Sequence, residues 1–209
     1  MGVTSYRAPA RAAEAEIEVR RSRFRCRVER VSTESEARSV VEVARRTHWD
    51  ARHHCSAFVL GPSASVTRSS DDGEPAGTAG APMLQVLLGA GVSDAVAVVT
   101  RWFGGTLLGA GGLVRAYGDA VRAALQEAGT VERRRLDLFE VVTDHAHAAR
   151  LENDLRARGV VVRDTTYAER VTLTLAADPQ AGLDALVAAV TGGTSTAQAV
   201  GHAWVDGAG

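Results

Sequence analysis

The stretch Ala95-Val96-Ala97-Val98-Val99-Thr100-Arg101-Trp102-Phe103-Gly104-Gly105-Thr106-Leu107-Leu108-Gly109-Ala110-Gly111-Gly112-Leu113-Val114-Arg115 decides how this chain folds. Residues 95–100 form an apolar run of strand length, which predicts a central strand covered on both faces. Five glycines follow within Gly104–Gly112. From Leu113 to Ala128 the residues Leu113, Tyr117, Val121, Leu125 and Ala128 keep to one helical stripe, and Gly129 stops the helix.

Working upstream, Arg23-Phe24-Arg25-Cys26-Arg27-Val28 alternates strictly. That is the period of a half-buried strand, with Phe24, Cys26 and Val28 inward. Ser32 or Thr33 can cap a helix from about Glu34 to Arg46. Cys55 to Leu60 and Ala64 to Ser69 read as a hairpin around Gly61-Pro62. The acidic loop at Asp71 and a helix from about Ala81 to Leu88 follow, with Pro82 in the helix's first turn. Residues 1–16 read as a flexible polar leader.

Downstream, Thr130 to Arg135 is polar and charged, and the first domain is expected to span 17–131. The second, 132–209, reads as strand (136–143), helix (146–157), strand (160–167), strand (170–176), helix (180–190) and strand (195–205). Asp178-Pro179 is a helix start; Gly159 and Gly192-Gly193 are stops. This βαββαβ order is that of a ferredoxin-like domain, and the whole chain is expected to be α+β.

With 209 residues, 45% hydrophobic, and a formal charge of -1, the chain has enough apolar material for one large core or two small ones. No run approaches the roughly 18 apolar residues of a membrane span, so no membrane partner is expected. The first residues lack the apolar core of a secretory signal, which points to the cytoplasm. Cys26 and Cys55 form no disulfide framework and no C-x-x-C motif. All 24 basic residues are Arg and Ile17 is the sole isoleucine, a bias of a GC-rich genome that lowers the value of any one Arg as a clue.

Two segments carry the candidate site. Asp71, Asp72 and Glu74 place three carboxylates in four positions around Gly73, with Pro75, Gly77 and Thr78 following. Such a cluster can hold a hard cation, receive a partner's basic groups, or cap backbone amides in a turn. Thr78 reads either as a helix cap or as a ligand hydroxyl. In the second segment, Arg101, Phe103, Gly104, Gly105, Gly109, Gly111, Gly112 and Arg115 join a strand to a helix N-terminus. Glycines allow close backbone approach and the N-terminus offers open amides, which suits an anion; tight loop packing is the alternative. Neither a Gly-Lys-Ser/Thr loop nor G-x-G-x-x-G is present. Trp102-Phe103 can be a stacking platform or core. His53, His54 and Cys55 have no second Cys/His cluster to complete a zinc site, so no metal and no cofactor are expected. No Ser or Cys has the context of a nucleophile, so no catalytic residue is assigned. The Arg20–Arg30 stretch is a basic stripe or a solvated edge strand.

Ser70-Asp71-Asp72-Gly73-Glu74-Pro75-x-Gly77-Thr78-Ala79-Gly80-x-Pro82 and Val99-Thr100-Arg101-x-Phe103-Gly104-Gly105-x-x-Leu108-Gly109-x-Gly111-Gly112-Leu113-Val114-Arg115-Ala116-Tyr117-Gly118 closely resemble the YigZ/IMPACT family. Ser22-Arg23-Phe24 and Cys55 extend the match over nearly all of the first domain. The family usually has Ala-Thr-His-Asn-Cys where this chain has Ala51-Arg52-His53-His54-Cys55, and tyrosine where it has Trp102. The resemblance implies a first domain with the fold shared by a small-subunit ribosomal protein domain and domain IV of elongation factor G. It implies a second domain like that factor's ferredoxin-like C-terminal domain. It also implies a non-catalytic bacterial protein acting in translation regulation, with RNA, the ribosome or a protein as partner. The kinase-pathway role of eukaryotic relatives is not carried over, since their partner-binding region has no counterpart here. The competing expectation is an enzyme on a phosphorylated or anionic small molecule, with a metal on the acidic turn. That reading requires the two segments to meet in space.

Overall fold

The computed structural model describes residues 3–178 and 181–207. The protein is α+β, with two antiparallel sheets and, among the described residues, five helices. It divides into two compact units, Met1–Arg133 with Gly207–Gly209, and Arg134–Asp206.

In the first unit, β2 (Ala13–Val19), β3 (Ser22–Arg30), β4 (His53–Leu60), β5 (Val66–Ser70) and β6 (Ala95–Trp102) form a sheet of order β2-β3-β6-β4-β5. The apolar run at its centre shows no alternation because both faces are covered. Ala95, Ala97 and Val99 join Phe24, Cys26 and Val28 in one core, under α2 (Gly80–Gly89) and α3 (Ala110–Ala128). Val96 and Val98 face the other way, onto Ala37, Val40 and Ala44 of α1 (Glu34–Thr47). Small side chains at these positions let helices approach both sides of one strand. The N-terminus of α1 is held by a reciprocal cap. Thr33 Oγ1 accepts from the Glu36 amide at 3.1 Å, and Glu36 Oε2 accepts from the Ser32 amide at 2.6 Å.

The described residues 3–16 are largely in strands, where the sequence reads as a flexible leader. β1 (Ser5–Pro9) and most of β2 come from this segment. Ala13-Glu14-Ala15-Glu16-Ile17-Glu18-Val19 alternates and pairs antiparallel with β3, Ile17 opposite Phe24. β1 is fixed by the Tyr6 hydroxyl donating to Asp94, and by the Ser93 amide donating to the Arg7 carbonyl at 2.9 Å. The third helix also begins earlier than the stripe predicts. Gly109, at φ 71, is the N-cap, and Gly111 and Gly112 lie inside the first turn of α3.

The polar stretch 130–135, where the sequence places the domain boundary, is the start of β7 (Thr130–Thr143). Its side chains alternate between exposed and half-buried, and a strand needs no apolar residue on a solvated face. α4 (His145–Ala157), β8 (Val161–Tyr167), β9 (Val171–Ala177), α5 (Leu183–Thr191) and β10 (Ala197–Asp206) complete the second unit. β7 pairs with β9, β9 with β8, and β10 with β7, giving the order β10-β7-β9-β8. Leu151, Leu155, Leu173, Leu175 and Val187 fill its core. Asp144 caps α4 by accepting from the His147 amide at 2.9 Å. The helix start expected at Asp178-Pro179 falls partly on residues 179–180, outside the described residues; α5 begins after Gly182, which is left-handed at φ 59. Among the described residues, no helix is long and apolar enough to cross a membrane.

Candidate binding site

The acidic segment is a tight turn. Asp72 and Gly73 both take positive φ, 40° and 84°, and the Glu74 amide donates to the Asp71 carbonyl at 2.9 Å. Asp-Gly is a favoured pair for such a turn. Its three carboxylates then diverge. Asp71 accepts from the amides of Gly77, Ala79 and Gly80 at 2.8, 3.0 and 2.8 Å, and so caps α2, whose own N-cap Ala79 has no side chain to do it. Burial pushes the Asp71 carboxyl upward, but these amides outweigh it and hold the group below the usual value of 3.8. Asp72 accepts from Arg45 Nη2 at 2.7 Å and from the His54 amide at 2.6 Å. Glu74 turns inward. Thr78 Oγ1 donates to the Pro75 carbonyl at 2.6 Å and is buried, which makes it part of the turn rather than an offered hydroxyl.

Glu74 ties the two segments together. Its Oε1 accepts from Arg101 Nη1 at 2.6 Å and from the Tyr117 hydroxyl at 2.7 Å, and both charged side chains are under 8% exposed. Arg101 is therefore not a surface cation. Its guanidinium lies between Phe24 and Phe103, 5.4 and 5.8 Å from their ring centroids, with Nε buried and unpartnered. Cys55 closes the network, its Sγ 3.0 Å from the Asp71 carbonyl oxygen and 3.3 Å from the Tyr117 hydroxyl. Burial pushes its thiol up to about 12, so it is held as an inert thiol. Tyr117 stands out in sequence only as one member of the apolar stripe; nothing local marks it as the partner of Glu74.

The glycines have separate uses. A Cβ on Gly104 would sit 2.1 Å from the Arg21 carbonyl carbon, so its close approach is to the chain's own β2–β3 turn. A Cβ on Gly80 would meet the Ser70 backbone at 2.8 Å. Gly105 and Gly109 need their positive φ of 83° and 71°. Gly112 is crowded by Leu108 Cβ at 3.0 Å, whereas a Cβ on Gly111 would meet nothing.

The two segments do meet. Gly73, Glu74 and Pro75 on one side and Phe103, Gly109 and Ala110 on the other line a cavity of about 590 Å³, with Arg101 in its wall and Arg52, His53 and Leu107 at its edge. Gly77 and Arg115 lie elsewhere, in a groove of about 980 Å³ between α2 and α3. Among the described residues, no three His, Cys, Asp or Glu side chains converge on a metal position. An acidic turn holding a cation thus loses its ligands to Arg45, Arg101 and backbone amides.

Beside the cavity, the end of the sheet gathers aromatic and basic side chains. Trp49 is 82% exposed, Phe103 48% and Leu107 81%. Trp102 Nε1 donates to Asp50 at 2.8 Å, its ring meets His48 edge-on at 5.3 Å, and Arg23 lies 4.6 Å over it. Arg20 and Arg21 occupy the adjoining β2–β3 turn, both at positive φ. Trp49 does not stand out in sequence, where its signal is an apolar aromatic stranded in the polar turn Thr47-His48-Trp49-Asp50; Arg52 does, as a departure from the family's usual threonine. The outward arginines of β3 are, by contrast, matched by acids. Arg23 and Arg25 pair with Glu16 at 3.8 and 3.1 Å, and Arg27 with Glu14 and Glu29 at 3.0 and 2.7 Å. The three outward arginines of β3, Arg23, Arg25 and Arg27, are thus paired with acids.

This chain matches the model of the Impact N-terminal domain over residues 20–125 and a domain of unknown function, DUF1949, over residues 141–195. It is 44% identical over 167 residues to the IMPACT family member YvyE of Bacillus subtilis, covering 80% of this chain and 77% of that one. It is also 44% identical over 137 residues to the IMPACT family member YigZ of Escherichia coli, covering 65% and 67%. A solved structure described as "Crystal structure of an hypothetical protein" superposes with a TM-score of 0.70 at 35% identity, covering 94% of this chain and 98% of that one. With both glycine-rich motifs inside the matched N-terminal region, the chain belongs to the IMPACT family.

Proposed function

We propose that this protein is a non-catalytic, cytoplasmic binding protein that acts in translation by holding single-stranded RNA at the end of the first sheet. The observation that carries the reading is a run of rings and guanidinium groups at the end of the first sheet: Phe103 and Arg52 in one cavity lining, Trp102 beside Phe103 with Arg23 over its ring, Arg20 on the Leu107 carbonyl, and the exposed Trp49 next to Asp50, the partner of Trp102. Every base has a π-face, so exposed rings interleaved with guanidinium groups hold single strands without reading sequence. A duplex offers no unstacked base to such a surface. Two further features support a place in translation. The sheet-and-helix layering of the first unit agrees with the resemblance to a small-subunit ribosomal protein domain and to domain IV of elongation factor G. The βαββαβ second unit, with strand order β10-β7-β9-β8, agrees with a ferredoxin-like domain.

Fluorescence anisotropy with a labelled single-stranded RNA of about a dozen nucleotides tests this. Wild type should bind the single strand better than the matching duplex. Replacing Trp49 and Phe103 together by Ala should weaken binding at least tenfold, at the scale of one or two lost base stacks. The paired arginines of β3 imply a shallow salt dependence, of the order of one or two phosphate contacts. Equal affinity of the double variant, or absence of RNA binding with retention of a protein partner, would end the RNA reading.

A further inference from the structure

The groove of about 980 Å³ between α2 and α3 stands apart from the RNA surface, and every residue that lines it belongs to the first unit. Each helix contributes one stripe. In α2 it is Pro82, Val86 and Ala90; in α3 it is Val114, Gly118 and Leu125, all at helical spacing. Val114 is 39% exposed, a large share for an apolar side chain set in a concave surface. The 10 residues of α2 extend for about 15 Å, so the groove runs for nearly three turns. A trough of that length between two helices is the shape that receives a third, laid against both.

Its charge is of one sign. Among the described residues the lining holds two arginines, no acid and no aromatic ring. Arg115 is exposed and has no ion pair among the described residues. Arg122 Nη2 donates to Asp119 Oδ1 at 2.5 Å, an exposed pair on the same helix that a partner's carboxylate can replace with little loss. The two arginines stand two turns apart on α3, a separation of about 10 Å. An occupant that is apolar in the middle and acidic at the border matches this pattern.

Gly118, between the two arginines, is a second observation. It lies in the middle of α3, where glycine weakens a helix relative to alanine. The chain itself has no need of glycine there, since a Cβ would meet only the Arg122 guanidinium at 3.5 Å, an ordinary contact. A helix seated in the groove does need it, because bare backbone lets the two axes come close. Two other occupants fit less well. A single strand of RNA has no ring here on which to stack a base. A second copy, groove against groove, would oppose arginines with no acid between them.

We propose that this groove docks a helix of another protein, about three turns long, with an apolar stripe against Pro82, Val86, Val114 and Leu125 and with acidic residues two turns apart to meet Arg115 and Arg122. The inference does not rest on the RNA reading and uses none of its residues.

Photo-activated benzoylphenylalanine in place of Gln85, at the groove border of the full chain in its native cells, tests this, with the cross-linked peptide sequenced by mass spectrometry. The cross-link should fall on a helical segment of another protein that carries acids two turns apart. A synthetic peptide of that segment should bind wild type in fluorescence anisotropy. Arg115→Glu together with Arg122→Glu, both at exposed positions, should fold normally and bind that peptide at least tenfold more weakly. A peptide with its acids changed to lysine should bind the charge-reversed chain again. Gly118→Ala should melt no lower than wild type and still bind the peptide more weakly. A cross-link to a second copy, to nucleic acid or to lipid would overturn the proposal, as would no cross-link at all. So would a peptide that binds the charge-reversed chain or Gly118→Ala as tightly as wild type.

Discussion

The acidic turn and the glycine loop look alike in sequence, both short, glycine-punctuated and placed before a helix, yet they play opposite parts. In the turn every charged group is spent inside the protein: Asp71 on three amides, Asp72 on Arg45 and the His54 amide, Glu74 on Arg101 and Tyr117. The loop leaves the Phe103 and Leu107 side chains exposed and starts α3 without a side-chain cap. One segment builds the floor and the other presents the surface. The difference teaches that charge density is a poor guide to where a protein binds. A cluster of carboxylates is expensive to leave unpaired near a core, so the fold consumes it. Glycines cost nothing to leave exposed.

The sharpest way to break this contrast is Glu74→Ala. It leaves the buried Arg101 guanidinium uncompensated and should cost about 3–5 kcal/mol in urea unfolding, enough to compromise a marginal domain. A cost below about 1 kcal/mol would mean that Glu74 is available to a ligand rather than committed to the fold. Gly104→Ala comes next. Its new methyl meets Arg21 backbone that cannot rotate away, and a loss of about 3 kcal/mol is expected.

Asp71→Asn should cost less, about 1–2 kcal/mol near neutral pH, because one amide oxygen can still accept. The folded carboxyl sits below its usual value, so its contribution is complete above about pH 5 and is lost as the pH falls through 3.8 and below. The stability gap between wild type and Asp71→Asn should therefore narrow on acidification, read from urea midpoints at pH 7 and about pH 3. A gap independent of pH would show that the charge on Asp71 contributes nothing.

Much of the fold was legible locally. The apolar run at Ala95, the Phe24-Cys26-Val28 alternation, the Thr33 cap and the Gly129 stop each act within a few residues, and each is where the chain's pattern places it. The β2 strand is hard to read in sequence although Ala13–Val19 alternates, because alanine contributes little apolar signal beside three glutamates. Without β2 beside β3, Glu14 and Glu16 give no sign in sequence that they pair with the β3 arginines. The sequence places the start of α3 late because three of the four residues before Leu113 are glycines, which locally oppose a helix.

The sequence by itself therefore determined the elements: the central strand, the helices with their caps and stops, and the presence of two glycine-rich segments. These depend on periodicity and on contacts a few residues apart. Only the tertiary structure decided which charges are free. Arg101 meets a glutamate 27 residues away and Glu74 a tyrosine 43 residues away, and nothing in local sequence encodes such pairings. Electrostatic energy depends on separation in space and on burial, so whether an arginine serves as a ligand or as a strut is settled only when the strands are side by side.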